Sequence, residues 1–185
     1  METVTPRAVR SRIPVGISSC LLGERVRYDG GHRHSALIAT QLAGIFEFRP
    51  FCPEVAIGLG VPREPIQLVR TPQGIRVRGV QNSVVDVTDK LENIGQQVAA
   101  EFADICGYIF KARSPSCGTE GVMTWTEQGD EDGPNGTGAY AAALINALPG
   151  LPVTDEESLQ NPLRRKHFVE EVSRRFQQVH NSQLT

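Results

Sequence analysis

The sequence predicts an α/β fold, a mainly parallel Rossmann-like sheet with flanking helices and a β-hairpin insertion. Three observations carry that prediction. Short β-branched or aromatic runs alternate with stretches of helical periodicity. Three of those runs break directly into a cysteine-bearing loop. One pair of alternating runs is separated only by Thr71-Pro72-Gln73-Gly74. At 185 residues the chain suits one hydrophobic core, so residues 13–185 are expected to form a single α/β domain behind a flexible N-terminal arm, residues 1–12.

Ile13 to Ser18 reads as a buried first strand with Cys20 just past its carboxyl end. After a polar loop, Ser35 to Ala43 has helical spacing, and Phe46 to Phe51 alternates like a strand that delivers Cys52-Pro53-Glu54. Ile66–Arg70 and Ile75–Arg78 form the hairpin, expected on one edge of the sheet. Leu91, Ile94, Val98, Phe102 and Ile105 recur at helical spacing, so a helix is expected from Val87 to Cys106 with Thr88 as its cap. Tyr108 to Lys111 is a third strand, running into Ser114-Pro115-Ser116-Cys117-Gly118. Residues 127–138 are almost wholly polar or glycine and read as an exposed, mobile loop. A helix over 137–148, a short strand Leu151–Thr154 and an amphipathic helix from Pro162 to His180 complete the chain.

Nineteen Lys and Arg against 21 Asp and Glu give a net charge of −2, so no global field attracts nucleic acid or anionic lipid. No apolar run approaches the ~20 residues that span a bilayer, and no apolar signal block follows the basic first twelve residues. The expectation is a cytoplasmic protein without membrane contact, whose four cysteines are thiols or metal ligands.

In a parallel sheet the carboxyl ends of the strands share one edge, where ligands bind. Cys20, Cys52 and Cys117 each follow such an end, so they can converge although far apart in sequence. Free cysteine otherwise fills core space, a reading that suits Cys106 beside Ile105 on an apolar helical face. The other three lie among glycine, serine, proline and a carboxylate. Three convergent thiolates suggest a metal centre with one open coordination position; spacing leaves zinc and an iron–sulfur cluster both open. His32 and His34 have ligand spacing too, although thiolates already supply the soft donors.

Cys20-Leu21-Leu22-Gly23 with Arg27-Tyr28-Asp29-Gly30, Cys52-Pro53-Glu54 with Gly58-Leu59 and Pro62-Arg63, and Lys111 with Ser114-Pro115-Ser116-Cys117-Gly118 resemble the motifs of the DUF523 family. The match runs in order over roughly residues 13 to 150, and the family's characterised members are thiouracil desulfidases. The resemblance implies a [4Fe–4S] cluster held by Cys20, Cys52 and Cys117 with the fourth iron open to substrate, and cluster-assembly machinery as a partner. It also matches Glu54 to a catalytic carboxylate and Ser114 to a catalytic hydroxyl. The implied substrate is a small thiolated pyrimidine, with 2-thiouracil giving uracil and sulfide. Thiolated nucleosides, nucleotides or tRNA, and a non-catalytic iron–sulfur or zinc sensor, are the alternatives. Ser18, Ser19, Asp29 and Ser116 are candidates to line the substrate pocket, and Arg63 is expected to anchor its loop on a carboxylate or carbonyl.

Overall fold

The computed structural model describes residues 12–182; the expected N-terminal arm falls, but for Arg12, outside the described residues. Four strands build a wholly parallel sheet: β1 (Ile13–Ser18), β2 (Phe46–Phe51), β5 (Tyr108–Phe110) and β8 (Val153–Asp155), in the order β2-β1-β5-β8. The chain steps from β1 to β2 on one side and then crosses to β5 on the other. Such a reversal opens a crevice beyond the carboxyl ends of the strands.

Both faces of this sheet are covered, as the largely apolar composition of its central strands β1 and β5 requires. Ile13, Val15, Ile17 and Ile109 pack with Phe46, Phe168 and Val172, the last two from α4 (Pro162–Ser182). On the other face Tyr108 and Phe110 meet Tyr140 and Leu144 of α3 (Ala139–Ala147) and Leu91 and Val98 of α2 (Thr88–Glu101). Gly16 of β1 leaves room for the ring of its cross-strand partner Tyr108, from which a Cβ there would lie only 2.3 Å.

The hairpin β3 (Ile66–Thr71) and β4 (Gly74–Gly79) forms as expected, but not on the edge of the parallel sheet. It joins β6 (Val122–Thr126) and β7 (Glu131–Gly136) in a second sheet of order β4-β3-β6-β7, in which β3 pairs parallel with β6. The loop expected over 127–138 is therefore largely strand. Asp132 of β7 accepts hydrogen bonds from Arg70 Nε (2.6 Å) and Thr124 Oγ1 (3.0 Å), and Pro134 is tolerated because β7 is an edge. Side-chain anchors on neighbouring strands thus replace the apolar alternation that was absent.

The helix expected to reach Cys106 ends at Glu101, because the Cys106 N–H is already donated to Pro14 O of β1 at 2.8 Å. Thr88 is the first helical residue and not a cap; its Oγ1 accepts the Val77 N–H at 2.7 Å and ties α2 to β4. Within the helical stretch expected over 35–43, Ile38–Leu42 is a π-helical segment.

Candidate active site

Every strand of the parallel sheet delivers a functional group type at its carboxyl end. Cys20 lies in a single 3-10 turn directly after β1, Cys52 follows β2, Lys111, Ser114 and Cys117 follow β5, and Glu156 follows β8. Around this edge lies a cavity of about 370 Å³ whose wall includes the three sulfurs together with Glu54 and Ser114. That volume suits a small organic ligand. Ser18 and Ser19 also line it. Asp29 and Ser116 do not: Asp29 accepts the Gly31 N–H at 2.9 Å and closes its own turn, and Ser116 is fully buried.

The three thiols share one electrostatic environment. Burial pushes the Cys20 thiol up to about 11, opposed by the charges of Arg27 and Lys111 and assisted by Cys52. Burial also raises Cys52, which follows β2 as the cap of the short helix α1 (Pro53–Ala56); the Val55 N–H bonds its sulfur and works the other way. Cys117 is raised well above the ordinary thiol value, by burial first and then by the charge of Glu54 and the two other sulfurs; a hydrogen bond from Ser18 opposes this. A neutral-pH metal centre must therefore displace protons from all three and supply positive charge that offsets their desolvation. Among the described residues, no group of three or more His, Cys, Asp or Glu side chains is arranged to hold a single metal ion. A polynuclear cluster asks for something else, separated sulfurs around a common cavity, each on its own iron. The residues present fit that requirement.

Glu54, the second residue of α1, is nearly enclosed. Its Oε2 accepts from Arg63 Nε at 2.9 Å with Arg63 Nη2 at 2.8 Å, and its Oε1 accepts from Ser116 Oγ at 2.9 Å. The side chains of Arg63 and Glu54 are only 5% and 15% exposed, so removing one partner would strand a buried charge at a cost of about 3–5 kcal/mol. Arg63 also donates to Gly60 O and Val26 O, so it anchors on both a carboxylate and carbonyls.

Ser114 Oγ accepts the N–H groups of Ser116 (3.3 Å) and Cys117 (3.1 Å), the geometry of a turn-forming serine. With its lone pairs so engaged, the hydroxyl is left to act as a donor toward the cavity. The same turn serves α3, whose first amides donate into it: Gly138 N–H to Gly118 O, Ala139 N–H to Pro115 O and Ala141 N–H to Ser116 O. Only glycine permits this approach, since a Cβ at Gly138 would stand 2.4 Å from Ser116 C and 2.7 Å from Cys117 N. Gly138→Ala is expected to destabilise the protein by about 1–3 kcal/mol, read as a lower denaturant midpoint, because the clash is with backbone that carries Cys117.

Several groups here were not legible in the sequence. The Lys111 ammonium is bound by Glu156, which also accepts the Ala112 N–H at 2.8 Å. The positional rule that singles out the cysteines points to Glu156 as well, one residue past β8. Arg27 and Arg33 line the cavity, and Arg27 Nε is buried with no hydrogen-bond partner among the described residues. Arg27 stands in the motif Arg27-Tyr28-Asp29-Gly30, whereas no sequence signal separates Arg33 from the other arginines of the polar loop. Cys106 lies apart, buried in the core layer under α4 with its thiol on Asp104 O. His32 and His34 are exposed, and the His34 N–H donates to His32 Nδ1.

Comparisons with known proteins place the chain in a family. A solved structure, the [4Fe–4S]-dependent thiouracil desulfidase TudS (DUF523Vcz), is similar with a TM-score of 0.60 and 29% identity, over 80% of this chain and 94% of that one. The uncharacterized protein YbbK of Bacillus subtilis (strain 168) is 31% identical over 153 residues, 80% of this chain and 98% of the relative. The family model described as 2-thiouracil desulfurase matches residues 15–156, which contain the three cavity cysteines, Glu54 and Ser114, and the chain belongs to that family.

Proposed function

We propose that this protein is a desulfidase that converts a thiolated pyrimidine such as 2-thiouracil, with one water, to uracil and hydrogen sulfide. The observation that carries the reading is the common cavity: three thiols, one carboxylate and one hydroxyl donor meet at the carboxyl edge of the sheet in a chain of this family. Cys20, Cys52 and Cys117 would hold the [4Fe–4S] cluster, and Cys106 would not. The cluster would supply a thiophilic Lewis acid with an open coordination position, without any change in redox state.

The remaining chemistry belongs to the chain. Replacing C=S by C=O needs a proton removed from the attacking water and protons delivered to the departing sulfur. Glu54, two residues from Cys52 and facing the same cavity, is the group placed to take the first and return it, a general base that becomes a general acid. Ser114 donates its hydroxyl hydrogen to the pyrimidine ring or the water. Ser18 and Ser19 line the pocket for the ring, and Ser18 also binds the Cys117 sulfur and the Lys111 N–H.

One feature favours a second reading in which the substrate carries a phosphate. Arg27 and Arg33 stand in the cavity wall, Arg113 joins them, and Arg27 Nε, which pairs with Asp29 at 3.8 Å, has no hydrogen-bond partner among the described residues. Sulfide release from 2-thiouracil, its nucleotide and thiolated tRNA, measured after anaerobic iron–sulfur reconstitution at two salt concentrations, separates the readings. Turnover of the free base that barely changes with salt supports the first, because an uncharged ligand neutralises no phosphates. Preferred, salt-sensitive turnover of the nucleotide or the tRNA supports the second. Absence of sulfide release from all three would overturn the desulfidase reading.

A further inference from the structure

A carboxylate offers about four acceptor positions, two on each oxygen. At Glu54 the two oxygens are engaged unequally. Arg63 presents Nε and Nη2 to Oε2, at 2.9 and 2.8 Å, and Ser116 Oγ takes one position on Oε1 at 2.9 Å. Oε2 thus faces two nitrogens of one cation, whereas Oε1 carries a single hydrogen bond from a hydroxyl.

We propose that Arg63 is the positioning residue of the site: by occupying Oε2 it leaves Oε1 of Glu54 as the oxygen open to the substrate water. This rests on the reading of Glu54 as the acid–base group. Arg63 is itself held too firmly to be a loose counter-ion. Nη1 donates to Gly60 O at 2.7 Å, Nη2 to Val26 O at 2.8 Å, and its backbone N–H to Tyr28 O at 2.9 Å. It thereby locks the loop after α1 and the loop after Cys20 around one carboxylate. Val26 O also accepts from the Cys52 thiol at 3.8 Å, so the same cation sets the wall beside a sulfur of the cavity. Loop anchoring on carbonyls alone would not need a buried guanidinium facing Glu54. Only arginine can serve, because its planar fork reaches these acceptors in one plane, whereas a lysine ammonium offers three donors at one point.

The test combines Arg63→Lys, Arg63→Met and Glu54→Gln. Arg63→Lys is expected to fold and to load iron as the unsubstituted protein does, with kcat lowered about 10²-fold, the size of a misplacement near 1 Å, and KM nearly unchanged. In the Glu54→Gln background the same change should lower kcat no further, since there is no carboxylate left to position. A second readout needs neither cluster nor turnover: in the iron-free protein, adding Glu54→Gln to Arg63→Met should raise the melting temperature above that of Arg63→Met alone, because the stranded carboxylate is gone. Kinetic losses that multiply in the double variant, melting losses that add, or Arg63→Lys with full kcat or without iron would each overturn the proposal. Glu54→Gln turning over at the unsubstituted rate would instead remove Glu54 from the mechanism, and the proposal with it.

Discussion

Cys20→Ser, Cys52→Ser and Cys117→Ser are each expected to lose iron and acid-labile sulfide after anaerobic reconstitution, and with them all desulfidase turnover, while Cys106→Ser keeps both. The asymmetry follows from where the sulfurs sit. The first three line one cavity, where Cys52 raises the Cys20 thiol and both raise that of Cys117, whereas Cys106 packs with Ile109 and Phe168 behind the sheet. A serine hydroxyl is nearly isosteric but a hard donor, unsuited to iron that thiolates bind. In Cys106→Ser the new hydroxyl replaces a buried thiol and finds Asp104 O as a partner, so the cost is one of stability, about 1–3 kcal/mol at most, not of cofactor. Iron loss from Cys106→Ser at unchanged circular dichroism, or full iron in any of the other three, would contradict the assignment.

Glu54→Gln is the second large effect. The amide can turn its oxygen to Arg63 and its nitrogen to Ser116, which reverses one hydrogen bond and preserves the rest, so the variant should fold and reconstitute to the brown colour of a loaded cluster. Turnover should nonetheless fall ~10²-fold or more, because an amide neither removes a proton from water nor returns one. Iron content and sulfide release on one preparation separate the two effects. A brown variant with undiminished turnover would exclude the carboxylate from the chemistry.

The parallel sheet and the grouping of Cys20, Cys52 and Cys117 at its edge were legible because they depend on short-range pattern: strand-like runs that stop where cysteine-bearing loops begin. What was hidden depends on partners distant in sequence. β6 and β7 have too little apolar alternation to stand out, and they exist because β3 offers a ladder and Arg70 anchors Asp132. At the site, the anchoring of Arg63 on a carboxylate or carbonyl was legible but not that the carboxylate is Glu54, and Ser116 lies not in the pocket wall but behind it, donating to that same carboxylate. Glu156 pairs with Lys111 across 45 residues of chain. Charge pairs that form across the fold leave no local signature.

The pairing of Gly16 with Tyr108 bears on how the protein acquires its active form. β1 and β2 can associate early in synthesis, but β5, which brings Cys117, must close a far longer loop before its contacts repay the entropy, and contacts of that kind slow folding. The turn bearing Cys117 then depends on α3, made later still, whose first amides bond to it. The third sulfur thus arrives after the nascent chain has passed Gly138. Insertion of the proposed cluster would in that sense be a finishing step performed on a chain already committed to its topology, and a delivery factor would have to recognise the closed sheet edge and not an unfolded cysteine motif.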